Sequence, residues 1–263
     1  MILDQKIADC DLQPLTGEVR RIVDVSHRER NEMLRLMQGF YKNATKGKFE
    51  SDFFQKDWVI LARHPDDGRI QGFSTQMVYS VQTDDRTIRV LFSGDTIIHP
   101  NYWARNPLAR LWGQLALALI DDPSTGPLYW FLISKGYKTY RFLPVFFREF
   151  FPRYDCDTPT WAARLIKEIA VQRFNTAYDS SQGVIRGNEN ACRLRESVAD
   201  VTPDRCKDPH IEFFAKINPG HTLGDELCCL APLKRDNFNK LAYRVIGTTN
   251  PEIEKLVRTL RPG

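Results

Sequence analysis

Asp95 and His99, near the end of one predicted strand, are the residues whose types and spacing best suit acid–base chemistry. They lie four residues apart in TIRVLFSGDTIIH (87–99), so a regular strand places both side chains on one face. A carboxylate and an imidazole so placed can serve as a general base and the group that orients it. In the alternative interpretation, Asp95 accepts a hydrogen bond from a turn amide and His99 only ends the strand before Pro100. Ser93 is a weaker candidate, because its neighbours lack the Gly-x-Ser-x-Gly pattern of a nucleophilic serine.

The strand that carries these residues leads into a predicted strand–turn–helix junction. Gly94, inside the strand, indicates a β-bulge, which precedes Asp95 and His99 and so need not separate them. Asn106 followed by Pro107 is typical of a helix N-terminus, and the apolar spacing predicts a helix over 107–121. Free amides at a helix N-terminus bind phosphate groups, so the junction is a candidate anion site.

The surrounding pattern predicts the elements that must position this junction. A capping box at Ser26 and Glu29 opens a helix that ends near residue 43. Short apolar runs separated by turns predict strands over 57–64, 70–81, 87–99 and 128–133, and an aromatic-rich run predicts a helix over 140–151. A helix between two neighbouring strands implies that those strands are parallel. We therefore predict an α/β (α+β) fold, with a mixed, mostly antiparallel central sheet and helices on both faces.

The pattern changes after residue 157. The sequence predicts a long helix over 159–179, a polar loop over 180–208, a short helix over 210–220, a strand over 225–233 and two closing helices near 235–246 and 251–260. We therefore predict a core over 1–157 and a mainly helical C-terminal extension over 158–263 that packs on the core.

Composition excludes several classes of function. The apolar fraction of 42% and the charged fraction of 27% are ordinary for a soluble globular protein, and a net charge of +4 does not by itself suggest nucleic acid. The longest apolar runs, of about ten residues, are too short to span a membrane. Six cysteines without a Cys-x-x-Cys pair give no zinc spacing, so we expect no metal. No secretory signal is visible over 1–12, so we expect a cytoplasmic protein with reduced thiols; the oligomeric state stays open.

The order of elements over about 15–155 resembles the GNAT superfamily of N-acyltransferases. SGDTIIHPNYWARNPLARLW resembles the acyl-CoA motif of that family, and LYWFLISKGYKTYRFLPVFFREFFP resembles its next strand and helix. The resemblance implies a pantetheine thioester donor, held either as acyl-CoA or as the acyl-phosphopantetheine of an acyl carrier protein. The donor-binding residues it implies are Thr96, Ile97, Ile98, Arg105, Asn106, Leu108, Ala109, Lys138 and Arg141.

The junction departs from the family pattern. Members place a basic residue and two small residues where amides cradle the pyrophosphate of coenzyme A, and in WARNPLA only Arg105 and Ala109 match. Pro107 removes one amide donor and Leu108 adds bulk where glycine is usual. A donor with a single phosphodiester, carried by a carrier protein, fits this junction; an inactive transferase kept as a scaffold fits it as well.

A second departure concerns the tyrosine that protonates the leaving thiolate in many members. This chain has Phe146 and Phe147 in that neighbourhood, so Tyr140, or Tyr137, is the expected substitute. The resemblance then implies three catalytic residues, which are Asp95, His99 and Tyr140.

The expected function is transfer of a medium or long acyl chain from the thioester to an amine, such as a peptide side chain or a small amine. The alternatives are a silent module that binds an acyl ligand or partner, and an acetyltransferase that uses acetyl-CoA. Three groups of side chains have two interpretations each. The phenylalanines either line an acyl tunnel or fill the core. The basic residues form either a rim at the donor site or a solvated face. The polar cluster either caps a helix or lines the acceptor cleft. In that order they are Phe142, Phe146, Phe147, Phe150 and Phe151; Arg105, Arg110, Lys135, Lys138, Arg141, Arg148 and Arg153; and His221, Asp225 and Glu226.

Overall fold

The computed structural model describes residues 13–103, 105–122, 126–195, 201 and 204–259. The expectation for a missing signal over 1–12 lies outside these residues, as do parts of the predicted break at 122–127 and of the loop at 180–208. Within the described part of the chain, no helix has the length and apolarity needed to cross a bilayer.

Eight strands form one sheet in the order β1-β3-β4-β5-β6-β10-β8-β7, and β2 pairs with β9 separately. The strands are β1 Thr16–Arg21, β2 Tyr41–Lys42, β3 Trp58–Arg63, β4 Ile70–Gln82, β5 Thr87–Ile98, β6 Leu128–Ser134, β7 Tyr178–Asp179, β8 Val184–Ile185, β9 Arg193–Leu194 and β10 Glu226–Pro232. The predicted antiparallel meander of β3, β4 and β5 is confirmed, and so is the parallel pairing of β5 with β6.

The helices pack on both faces of this sheet, as predicted. They are α1 His27–Phe40, α2 Lys46–Phe53, α3 Leu108–Ile120, α4 Tyr137–Tyr140, α5 Phe142–Phe146, α6 Thr160–Phe174, α7 Pro209–Ile217, α8 Lys240–Ile246 and α9 Pro251–Arg258. Apolar side chains of α1, α2 and α6 cover one face, which also carries Phe73 and Val81 of β4. Side chains of α3, α7, α8 and α9 cover the opposite face. The fold is therefore a mixed α/β sheet enclosed between two helical layers.

The bulge that Gly94 indicates is present. Ser74 of β4 pairs with Thr96, whereas Gln76 pairs with Ser93. Gly94 and Asp95 on β5 therefore both lie opposite Thr75 of β4. A side chain at Gly94 has no room, because a Cβ there would lie 2.5 Å from Thr75 Oγ1 and 2.8 Å from Lys56 Cε. Glycine is thus required where β4, β5 and the end of α2 come closest.

β5 and β6 separate just beyond the bulge. Their pairing ends at Ser93 and Leu132, yet β5 continues to Ile98 and β6 to Ser134. Beyond Ser93, the described part of β5 is paired with β4 alone. The sheet therefore has a fork whose β5 side offers unpaired backbone groups, and α3 joins its two arms.

The prediction of one helix over 140–151 is wrong. The chain forms the short helices α4 and α5 and then becomes extended at Phe147, whose φ and ψ are −113° and 148°. Phe147 and Phe151 make isolated bridges to Phe238 and Leu230, and their side chains enter opposite helical layers. Residues four apart lie on one side of a helix and of a regular strand alike, so the opposite directions of these two rings come from the bends of the chain at 148–149.

Residues 158–263 add more than helices. They contribute β7, β8 and β10 to the central sheet, and β10 pairs antiparallel with β6 from Leu227 opposite Ser134 to Pro232 opposite Tyr129. The extension therefore places its own residues beside the fork.

Candidate active site

A cavity of about 660 Å³ opens at the fork between β5 and β6. Its walls come from α1 and α2, from β5 beyond the bulge, from the ends of β6 and β10, and from α4 and α6. We call the part near Trp103, Leu108 and Lys138 the α3 end, and the part near Phe92 and Arg173 the α6 end. The volume lies in the range of sites that bind small molecules, which is about 300–1,000 Å³.

Asp95 lines the middle of the cavity, at the bulge. Loss of contact with water raises the pKa of its carboxyl, and the negative charge of Asp52 adds to the effect. Lys135 and Lys56 oppose the shift, and the resulting pKa is about 6. No described residue forms a hydrogen bond with this carboxylate. Asp95 therefore titrates close to neutral pH and faces the cavity.

A lysine and a glutamate from neighbouring strands flank Asp95. Lys135 follows the end of β6 and forms an ion pair of 2.7 Å with Glu226 at the start of β10. Burial alone would lower the pKa of Lys135, but the charge and hydrogen bond of Glu226 and the charge of Asp95 outweigh it and raise that pKa. Burial raises the pKa of the Tyr41 hydroxyl, so Tyr41 stays neutral. Lys135 therefore lowers the pKa of Asp95 while its ion pair is with Glu226.

A second lysine lies beneath the bulge. The side chain of Lys56 is fully buried and forms an ion pair of 2.6 Å with Asp52. Burial lowers the pKa of Lys56, and the positive charge of Arg173 lowers it further, while Asp52 raises it. Lys56 holds the end of α2 against Gly94, the glycine of the bulge.

The α3 end of the cavity is formed by aromatic and basic side chains. Lys138 Nζ lies 3.6 Å from the centre of the Trp103 ring, and the Arg205 guanidinium lies 5.5 Å from the centre of the Tyr137 ring. At the start of α3, the Asn106 side chain accepts a hydrogen bond of 3.2 Å from the amide of Leu108. Asn106 thus occupies one of the helix amides that a phosphate would use, as Pro107 removes another.

Most of the predicted donor residues line the cavity. These are Thr96, Ile97, Ile98, Asn106, Leu108 and Lys138. Arg105 and Ala109 lie outside the lining, and Arg141 forms an ion pair of 2.9 Å with Asp208 instead. Their roles stay predictions.

The structure separates the three predicted catalytic residues. His99 does not line the cavity, and its ring accepts a hydrogen bond of 3.4 Å from the amide of Asn101. No hydrogen bond or ion pair joins Asp95 and His99 among the described residues, because residues four apart on a strand lie about 13 Å from each other. Tyr140 is fully buried away from the cavity and donates a hydrogen bond of 3.0 Å to the carbonyl of Pro152. Tyr137 is the tyrosine of α4 that lines the cavity.

Ser93 has a structural role. Its hydroxyl donates to Gln76 Oε1 at 2.6 Å and accepts from the indole nitrogens of Trp112 at 3.2 Å and Trp130 at 2.9 Å. A buried hydroxyl with three partners has no lone pair left for nucleophilic attack. Ser93 instead fixes two tryptophans of the α3 layer just before the bulge.

The three ambiguous groups are each divided by the structure. Of the five phenylalanines, Phe142 lines the cavity, and the others pack in the apolar layers. Of the basic residues, Lys135 and Lys138 line it. Of the polar cluster, Glu226 lines it, whereas Asp225 forms an ion pair of 2.6 Å with Arg186.

Several residues of this site were not predicted from the sequence. The missed side chains on the cavity wall are Tyr41, Asp52, Arg173 and Cys192, and Lys56 lies directly behind it. Arg173 belongs to the long helix predicted over 159–179, to which the sequence assigned no role at the site. The signal available in the sequence was the position of Lys135 directly after a buried strand, where a lysine ends the apolar run.

Comparison with known proteins gives no match to a protein-family model or to a curated protein. Solved structures with a similar fold include a GNAT family N-acetyltransferase from Escherichia coli in complex with CoA, at 12% identity and TM-score 0.34 over 49% of this chain and 69% of that chain. A probable N-acyltransferase from Enterococcus faecalis matches at 11% identity and TM-score 0.39, over 81% of this chain and 64% of that chain. A GCN5-related N-acetyltransferase from Kribbella flavida matches at 11% identity and TM-score 0.35, over 86% of this chain and 69% of that chain.

These overall similarities are low, and the family likeness rests on topology. The chain has an antiparallel meander, a bulge in its third strand, a helical crossover to a parallel strand and a fork that opens beyond the bulge. That sequence of features is the core that the resemblance implied, with the candidate acyl-CoA motif on β5 and α3. The described strands and helices therefore have the arrangement that the resemblance to the GNAT superfamily of N-acyltransferases implied.

Proposed function

We propose that this protein is an N-acyltransferase that moves an acyl group from a pantetheine thioester to an amine at the β5–β6 fork. The observation that carries the proposal is Asp95, a carboxyl with a pKa of about 6 that faces the cavity beside unpaired backbone of β5. A general base works best when its pKa lies near the working pH. Amide formation needs such a base, because an amine attacks only after losing its proton.

The reaction divides among the chain's own groups. The pantetheine arm lies along the unpaired edge of β5, where amides near Thr96–Ile98 polarise the thioester carbonyl. The amine nitrogen attacks the carbonyl carbon, Asp95 takes the amine proton, and the carbon–sulfur bond breaks. The hydroxyl of Tyr137 gives its proton to the leaving thiolate. We assign this last role to Tyr137 rather than Tyr140, because Tyr137 lines the cavity and the Tyr140 hydroxyl is used by Pro152.

The finer features of the substrates are part of the proposal. Met37, Phe40 and Phe49 give the cavity an apolar wall between α1 and α2, which suits a medium or long acyl chain. Asn106 and Pro107 reduce the amides at the start of α3, which favours the single phosphodiester of a carrier-bound donor over the pyrophosphate of coenzyme A. Lys138 at the same end supplies a positive charge.

The test is a turnover assay with matched donors. Acyl-CoA and acyl-carrier thioesters of graded chain length are mixed with a pool of amines, and both released thiol and amide mass are measured. We expect amide with a medium or long chain, and no amide from the Asp95→Asn variant. Thiol release without amide from any donor would refute an N-acyltransferase. Tight binding of an acyl thioester without any turnover would favour the silent module, and rapid use of acetyl-CoA would favour an acetyltransferase.

A further inference from the structure

Arg173 is a charged side chain at the α6 end of the cavity whose positive charge the described residues do not neutralise. It lines the cavity, and no described carboxylate lies within ion-pair distance of it. Its Nε atom is buried without a hydrogen-bond acceptor. The Nε atoms of Arg30, Arg89 and Arg193 are buried in the same way, so the case for a ligand rests on the position of the Arg173 guanidinium at the cavity wall without a described carboxylate beside it.

The guanidinium is held rigidly by aromatic rings. Its central carbon lies 4.4 Å from the centre of the Phe92 ring, 5.6 Å from that of Tyr79 and 5.7 Å from that of Phe174. Rings fix the plane of an arginine without using its N–H groups, which stay available for a ligand. The position of Arg173 is therefore set before any ligand arrives.

Two carboxylates of the cavity wall are already paired, Glu226 with Lys135 and Asp52 with Lys56. Asp95 has no ion pair among the described residues, and the proposed reaction needs an amine beside it. Arg173 is at the α6 end, and Phe92 beside it precedes Asp95 by three residues on β5. The second cation nearby, Lys56, already pairs with Asp52. An acceptor that carries both a positive and a negative group would complement this arrangement.

We propose that Arg173 binds a carboxylate of the acceptor, so that the preferred acceptors are amines that also carry a carboxylate group. This inference rests on the proposed function for the identity of the amine end. A planar guanidinium offers two parallel N–H groups that match the two oxygens of a carboxylate, which a lysine does not. Arg173 is on this basis a specificity-determining residue, separate from the groups that move protons.

The first experiment measures binding without donor. The probes are ω-amino acids with two to five methylene groups between amine and carboxylate, each compared with its neutral carboxamide by calorimetry. We expect at least one acid to bind about tenfold to hundredfold more tightly than its carboxamide, the range for a charged hydrogen bond. Arg173→Gln should abolish the difference, and Arg173→Lys should restore only part of it. Lys167→Gln, which removes an exposed charge from the same helix, is the matched control and should change nothing.

The outcomes decide between the inference and the proposed function. Equal affinity for acid and carboxamide at every length, or no binding of any probe by the wild type, overturns the inference. So does an Arg173→Gln variant that raises the KM of the thioester donor and leaves the acceptor preference intact, since Arg173 would then hold the donor's phosphate. Preference for the acids without turnover of any donor leaves the inference standing and refutes the acyltransferase. Thermal unfolding of each variant shows whether the ring contacts of Arg173 were needed for folding, and Arg173→Met keeps those contacts without the charge.

Discussion

Replacing Asp95 by asparagine should stabilise the protein at neutral pH while abolishing its activity. The carboxyl of Asp95 has a pKa of about 6, raised from 3.8 mainly by loss of water and by the charge of Asp52. Two pKa units at about 1.36 kcal/mol each mean that ionising this group destabilises the folded protein by about 3 kcal/mol. Asparagine has nearly the same shape and carries no charge, so Asp95→Asn should recover most of that free energy.

The sign of the pH dependence follows from the direction of the shift. Because the folded protein holds this proton more tightly than the unfolded chain, Asp95 contributes favourably below about pH 4, and the contribution is lost as the pH rises through about 6. The stability gained by Asp95→Asn should therefore be near zero at pH 4 and about 3 kcal/mol at pH 8. With a urea m-value of roughly 3 kcal/mol per molar, the midpoint should rise by about 1 M at pH 8.

The assay is urea unfolding of the wild type and the variant at pH values from 4 to 8, together with kcat over the same range. The kcat of the wild type should rise with pH through about 6 and then level, since the base must be ionised to accept a proton. A midpoint difference that stays constant from pH 4 to pH 8 would refute the raised pKa. A variant with wild-type kcat would refute Asp95 as the base, whatever its stability.

Four further substitutions test neighbouring features. Gly94→Ala should lower the free energy of unfolding by about 1–3 kcal/mol, because the added Cβ overpacks against Thr75. It should also lower kcat, because the bulge that carries Asp95 must shift. Unchanged urea unfolding would contradict this prediction. Tyr140→Phe should lower stability by about 1 kcal/mol with kcat intact, whereas Tyr137→Phe should lower kcat with little change in stability, and the opposite result would return the acid role to Tyr140. Arg105→Ala should raise the KM of the donor about tenfold to hundredfold if the phosphate is bound at the start of α3, and an unchanged KM would show that it is bound elsewhere.

The sequence predicted those elements whose pattern is local. The capping box of Ser26 and Glu29 is present as expected, and the spacing of apolar residues located α3, α6 and the meander within a few residues. β1 was missed because TGEVRR has a single apolar residue, and its place as an edge strand depends on pairing with β3. α2 was missed because KGKFESDF has little helical pattern; it depends on the Thr45 cap and on burial of Phe49 and Phe53.

The candidate site was predictable mainly on β5 and at the junction that follows it, where Asn106 and Leu108 line the cavity as expected. Gly94, Asp95 and Thr96 follow from the reading of β5, because a bulge is visible as a glycine inside a strand. Lys135, Glu226 and Arg173 are far apart in sequence and meet only because β10 pairs with β6 and α6 covers the sheet. The pairing of Asp95 with His99 failed for a geometric reason. A strand keeps residues four apart on one face but about 13 Å from each other, which is too far for a carboxylate to orient an imidazole.

The C-terminal extension influences the pKa of Asp95, the proposed base, through Lys135. Lys135 is a buried cation that lowers the pKa of Asp95, and an unshared ion pair between the two would keep that carboxylate ionised well below neutral pH. Such a carboxylate would be a weak base for an amine. Glu226, the first residue of β10, binds Lys135 at 2.7 Å and itself raises the pKa of Asp95. Because Leu227 pairs with Ser134, the register of β10 on β6 sets that contact. The strand that completes the sheet therefore also keeps Asp95 close to neutrality, so the extension and the fork form one chemical unit.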